Sequence, residues 1–224
     1  MSGVVYDRAP MRTALAVLLT GSALLLAACG GGGGGGPASS GGCKDVAAPA
    51  PKPDGGAKPP KAALDAARTY VLVVSTSCGS FEITLDPKLA PKTTTSLVSL
   101  VRSGFFDGTI FHRVVPDFVI QGGDPTGTGS GGPGYSTVDP PPASAKYTQG
   151  VVAMAKTQAE APGTAGSQFF VVTADDAGLP PDYAIVGTVT KGYDAVQRIE
   201  ALGDATTQQP SRTVLVERIS VRTS

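Results

Sequence analysis

The chain has 224 residues, with 18 basic and 18 acidic side chains, a single histidine, three cysteines, no tryptophan, 30 glycines and 19 prolines. A balanced charge excludes the basic footprint of a nucleic-acid binder, and one histidine with cysteines scattered at 29, 43 and 78 offers no metal-ligand spacing. The length suits one ordinary domain plus an extension.

The extension comes first. Arg8 and Arg12 precede an apolar run from Ala14 to Ala28 that closes on LLLAAC, Leu24 to Cys29. Fifteen residues fall short of the ~20 that a spanning helix needs, so the pattern predicts a signal peptide over 1–28, with Met1 or Met11 as its start. Leu26-Ala27-Ala28-Cys29 resembles a bacterial lipobox, which implies a lipid on Cys29 and an exported chain. The location implied is the outer face of the cytoplasmic membrane or the periplasmic side of an outer membrane. Residues 29–67 then read as the lipidated cysteine and a disordered Gly/Pro-rich tether, since seven consecutive glycines and the Pro, Ala, Ser and Lys that follow have no apolar rhythm. Only Cys43-Lys44-Asp45-Val46 stands out within it. Without residues 1–28 the domain and tether hold 16 basic and 17 acidic residues.

The folded domain is expected over 68–224. TYVLVVST and SFEITLD are two strands joined by a hairpin turn at 77–80. Pro91 opens a helix whose Leu97, Val98, Leu100 and Val101 form an apolar stripe before Gly104 stops it. Short strands are predicted at 110–115, 118–122, 150–155, 168–173 and 184–190, a second helix at 194–202, and a last strand in TVLVERISVR. The Gly- and Pro-rich stretch 124–145 is a long loop. Eight strands and two helices predict an all-β domain with two capping helices, a closed eight-stranded antiparallel β-barrel.

Chemistry concentrates in FHRVVPDFVIQGGD, Phe111 to Asp124. Alternation puts Phe111, Arg113 and Val115 on one strand face and Ile110, His112 and Val114 on the other, so Arg113 stands among apolar neighbours. This string, GVVAMAK (Gly150 to Lys156) and AGSQFFVVT (Ala165 to Thr173) resemble, in order, markers of the cyclophilins, a family of peptidyl-prolyl cis-trans isomerases built on a β-barrel; the likeness runs from about Tyr70 to about Thr223. The resemblance implies an enzyme of class EC 5.2.1.8 that acts on extended proline-containing polypeptides and needs no cofactor or metal; with the signal-like start of the chain, it is expected to help exported proteins fold at the cell surface or in the periplasm.

The family's pattern makes Arg113 the catalytic donor and sets Phe118, Val119, Phe170 and Leu179 around the proline ring. By composition alone the same apolar residues read equally well as barrel core. The pattern further implies that Gln121 bonds the substrate backbone, that the main chain of Ala155, Lys156 and Thr157 pairs with the peptide as an added strand would, and that Gln168 and Gly129 complete the groove wall. Three positions depart from many eukaryotic members: Gly178 replaces a tryptophan, Lys156 an asparagine and Tyr183 a groove histidine. These departures bear on substrate preference and inhibitor binding. His112 is expected to pack or to sit at the groove rim, because the reaction needs no proton transfer. A reading from another class is a membrane-tethered peptide-binding chaperone with little isomerase activity. Either form would be a monomer, joined to the membrane through its lipid and without nucleic acid. Cys43 and Cys78 are an even pair in an exported chain, open to a disulfide or to two independent thiols.

Overall fold

The first two predicted strands form a hairpin, β1 (Tyr70–Thr76) and β2 (Gly79–Leu85). In β1 every second residue, Tyr70, Leu72, Val74 and Thr76, is buried. Gly79, with φ +106°, makes the tight return, and a Cβ there would collide with Arg198. The computed structural model describes residues 42–224; the predicted signal peptide and Cys29, the expected lipid site, lie outside the described residues.

Helix α1 (Pro91–Arg102) starts with Pro91 in its first turn, as predicted, but Ala90 gives it no side-chain cap. The cap comes from far away: the carboxylate of buried Asp139 accepts the N–H of Thr93 at 2.7 Å. The chain continues through β3 (Phe111–Val115), β4 (Val119–Gly122), the short β5 (Thr137–Val138), β6 (Val151–Met154), the short β7 (Thr164–Ala165), β8 (Phe169–Val172) and β9 (Ile185–Lys191). Helix α2 (Tyr193–Glu200), two residues shorter at its end than expected, buries Ala195, Val196 and Ile199, and β10 (Val216–Thr223) completes the domain.

Eight strands form one antiparallel sheet in the order β10-β1-β2-β9-β6-β8-β4-β3, and β5 pairs with β7 separately. The domain is mostly β with two helices, a β-barrel whose closure differs from the expectation: no ladder joins β3 to β10. They meet through the isolated bridge Ile110↔Leu215 and bonds such as Phe111 N–H to Val214 O (3.0 Å). Opposite β3 runs the irregular segment before β10, which bonds it again where Val114 N–H meets Gln208 O (3.0 Å); Gln208 holds φ +59° and Pro210, bridged to Gly203, has no N–H to donate, so no continuous ladder closes the seam.

Strands β4, β6 and β8 are buried on both faces, which is what their continuous apolar runs require. Ile120, Val152, Met154, Phe169 and Val171 point into the main core with α1 and α2, while Val119, Ala153, Phe170 and Val172 point the other way into a smaller apolar cluster with Tyr147. A cavity lined by Phe118, Val119, Phe170, Leu179 and Tyr183 sits over that second cluster.

Residues 42–67, expected to belong to a disordered tether, instead lie as an extended strap along the domain. Main-chain bonds run from Lys44 N–H to Ser77 O (2.8 Å), Lys52 N–H to Pro125 O (2.9 Å), Gly55 N–H to Gly132 O (2.9 Å) and Ala57 N–H to Pro133 O (3.0 Å). Cys43 and Cys78 form a disulfide, S–S 2.04 Å. The Lys52 ammonium reaches the carbonyls of Gly104, Phe105 and Asp107 just beyond the end of α1, where carbonyls are short of partners, and sits 5.7 Å from the centre of the Phe105 ring. Composition misses this because the strap is held mainly by backbone groups, by Lys44 and Lys52 and by a covalent bond, with only Ala57 and Leu64 adding partly buried apolar contacts beside Cys43.

Candidate active site

Sheet register builds the site. Arg113 on β3 is opposite Gln121 on β4, Gln121 is opposite Phe170 on β8, and Phe170 is opposite Ala153 on β6, so the four lie in one row across one face. That row exists because β3 carries a bulge between Phe111 and Arg113. Strict alternation would have put Phe111 and Arg113 on one face. With the extra residue at His112, Phe111 and Val114 both turn into the core and Arg113 is left half-buried on the outer face.

The Arg113 guanidinium is held at three points. Its Nε donates to Gln208 Oε1 at 2.9 Å, its Nη1 to Gln121 Oε1 at 3.4 Å, and the charge lies 5.6 Å from the centre of the Phe118 ring. Among the described residues, Nη2 has no protein acceptor and is available to a ligand. Burial shifts the Arg113 pKa downward, partly offset by Tyr183, although a guanidinium remains a cation at physiological pH. The chain of amides continues: Gln121 Nε2 donates to Gln168 Oε1 (3.0 Å), and Gln168 Nε2 donates to the carbonyls of Gly129 and Gly131 (both 2.9 Å).

Arg113, Phe118, Val119, Gln121, Ala155, Lys156, Phe170, Leu179 and Tyr183 line one cavity of about 280 Å³. Its floor is aromatic, with Phe170 and Tyr183 edge to face at 5.6 Å and fully buried Tyr147 beneath. The Tyr147 hydroxyl donates to Tyr183 O and accepts from Tyr183 N–H, which fixes the backbone carrying that ring. A second cavity of about 450 Å³ adjoins it, sharing Gln121, Ala155 and Lys156 and adding Gly129, Thr157, Gln168 and the loop 130–136. Lys156 is almost covered: its ammonium faces Asp182 at 3.9 Å, the Tyr183 ring and two backbone carbonyls.

The structure thus brings together every residue expected at the groove except His112. That side chain lines a different cavity with Ile110, Gly127, Gln209 and Val214, and neither ring nitrogen has a hydrogen bond. Burial lowers its pKa, against a smaller raising effect of Asp124 and a lowering one of Arg113. Gly178 is exposed, with φ +63° and open space around it.

Three contributors were missed from the sequence. Gln208 lies in a loop whose only signal is the Asp204 turn, with the Asp204 carboxylate accepting the N–H groups of Thr206 and Thr207. Fully buried Asp124 shapes the glycine-rich loop by accepting from Thr126 and from Gly129 N–H. Its pKa is lowered because these bonds outweigh the larger single effect of burial, which raises it. Asp54 enters the second cavity from the strap. Among the described residues no group of three or more His, Cys, Asp or Glu could hold a metal ion.

A family model described as cyclophilin type peptidyl-prolyl cis-trans isomerase/CLD matches residues 71–221. Peptidyl-prolyl cis-trans isomerase-like 1 of Gibberella zeae is 37% identical over 160 residues, covering 68% of this chain and 95% of that protein. Peptidyl-prolyl cis-trans isomerase CYP18-2 of Arabidopsis thaliana is 35% identical over 154 residues, covering 67% and 92%. In three dimensions the chain is similar to the crystal structure of a cyclophilin type peptidyl-prolyl cis-trans isomerase from Cryptosporidium parvum, with TM-score 0.63 and 30% identity, covering 69% of this chain and 98% of that one. That protein has also been solved in the presence of the dipeptide ala-pro, with TM-score 0.62.

Proposed function

The chain belongs to the cyclophilin type peptidyl-prolyl cis-trans isomerase family and is an enzyme of that class, EC 5.2.1.8; from this premise we infer that Arg113 is its catalytic donor and that it serves the folding of exported proteins from a lipid anchor at Cys29. The observation that carries the catalytic assignment is a guanidinium fixed by Gln121 and Gln208 beside an aromatic-floored cavity of about 280 Å³.

The barrier to isomerisation, ~18–20 kcal/mol, comes from amide resonance. Resonance is lost when the proline nitrogen becomes pyramidal and its electron pair localises. A proline ring seated against Phe118, Val119, Phe170 and Leu179 leaves that nitrogen beside Arg113, whose free Nη2 can donate to the electron pair as it forms. The interaction is stronger in the twisted state than in either planar isomer, which is the condition for acceleration. Gln121 and the main chain at Ala155, Lys156 and Thr157 hold the peptide backbone on either side. No proton is transferred, so His112 has no part in the chemistry.

Export is supported by the signal-like residues 1–28, by the lipobox-like Leu26 to Cys29, and by the Cys43–Cys78 disulfide, a bond that persists in oxidising compartments. Residues 30–42 would then be the spacer between the lipid and the pinned strap. Two or three acyl chains are expected, because one gives only marginal membrane binding. A protease-coupled isomerisation assay with wild type and Arg113→Ala tests the catalytic assignment. Intact mass of membrane-extracted protein tests the anchor, and a mature chain that starts elsewhere than Cys29 overturns it.

A further inference from the structure

The strap reaches the substrate groove. Beside the proline cavity, across the shared wall of Gln121, Ala155 and Lys156, the second cavity has Asp54 in its lining, a residue of the extension that precedes the 71–221 family match. Asp54 is fixed there: one carboxylate oxygen accepts Gly132 N–H at 2.8 Å, and the neighbouring Gly55 N–H donates to Gly132 O at 2.9 Å. The disulfide at Cys43 and the Lys52 contacts hold the preceding strap, and Ala57 N–H to Pro133 O holds the part that follows.

Two other charged groups line the cavity, and both are engaged. The Lys156 side chain is 5% exposed and turned to Asp182, Tyr183 and backbone carbonyls. The carboxylate of Glu160 accepts both the N–H and the hydroxyl of Thr157. Asp54 is exposed, and among the described residues its second carboxylate oxygen has no partner and it forms no ion pair. A peptide whose proline occupies the first cavity and whose chain runs past Ala155 and Gln121 presents a side chain to this carboxylate. Resting on the groove assignment made above, we propose that Asp54 is a specificity-determining residue: it makes the second cavity select substrates with a lysine or arginine near the proline.

The test uses the full chain and Ala-Pro peptides carrying Lys, Ala or Glu at each position within three residues on both sides. Affinity is read by fluorescence anisotropy and catalysis by cis-trans exchange. At one flanking position, wild type should favour Lys over Glu by about two- to fivefold, as an exposed charge pair allows. The ratio should approach one at ~0.5 M salt and in Asp54→Asn, which keeps an oxygen to accept Gly132 N–H. A ratio of one in wild type, or a preference unchanged in Asp54→Asn, overturns the proposal. Intact Lys preference in binding with no acceleration of any peptide would instead strike the catalytic reading and leave this one standing.

Discussion

Opening the Cys43–Cys78 bridge should destabilise the domain by an amount that can be worked out from chain topology. The bridge spans a sequence separation of 35. Removing a closed loop of that size from the unfolded ensemble is worth about 4 kcal/mol in the chain-entropy account. With a urea dependence of about 2 kcal/mol per molar, the unfolding midpoint should fall by about 2 M. The measurement is urea unfolding of the full chain carrying Cys29→Ser, with and without reductant, followed by far-UV circular dichroism because the chain has no tryptophan. Cys43→Ser is the matched variant, since Cys78 is fully buried and a hydroxyl there would add a penalty of its own. Equal midpoints with and without reductant would refute the reasoning, as would two free thiols in oxidised, unfolded protein.

Gln208→Ala frees Arg113 Nε and should lower kcat/KM about tenfold, mainly through kcat, with Kd for a proline peptide little changed; Gln208→Glu, which keeps the acceptor, should restore most of the rate. Lowered by burial from 6.5, the pKa of His112 makes the unfolded chain take up this proton first as pH falls. Stability should therefore be level above about pH 7 and drop below pH 6.5, by at most about 1.4 kcal/mol per pH unit, with His112→Gln flattening the slope in equilibrium unfolding. Asp124 works in a separate window: its pKa is lowered from 3.8, so its contribution is complete above that pH and is lost only as pH falls through the lower folded value.

Much of this was legible in the chain. Period-2 runs and the Pro91 to Gly104 punctuation marked the β-rich layout and α1, because those patterns report burial directly. The groove was legible only through the likeness of three strings to a known family, since Val119 and Phe170 carry the same apolar signal whether they face the main core or the smaller cluster under the pocket. The bulge at His112 was invisible, because an inserted residue changes facing without changing composition, and it overturns the simple pairing of Phe111 with Arg113. Gln208 and Asp54 act from irregular segments where no periodicity exists to read. The strap shows the limit of composition most plainly: Pro- and Gly-rich residues cannot form a core, yet they can be laid along one by main-chain bonds and a disulfide.

Arg113 is proposed to lower the isomerisation barrier rather than merely to help bind the peptide. The most direct measurement is the cis-trans exchange rate of an Ala-Pro peptide by NMR at saturating peptide, for wild type and Arg113→Ala, with Kd determined in parallel. Losing such a donor costs ~2.7–4 kcal/mol of transition-state stabilisation, about two to three orders of magnitude in rate. Arg113→Ala should show that loss in the exchange rate, with Kd changed by less than about tenfold and the unfolding midpoint preserved. An Arg113→Ala enzyme that exchanges the peptide as fast as wild type, or one whose defect lies wholly in Kd, would contradict this role of Arg113.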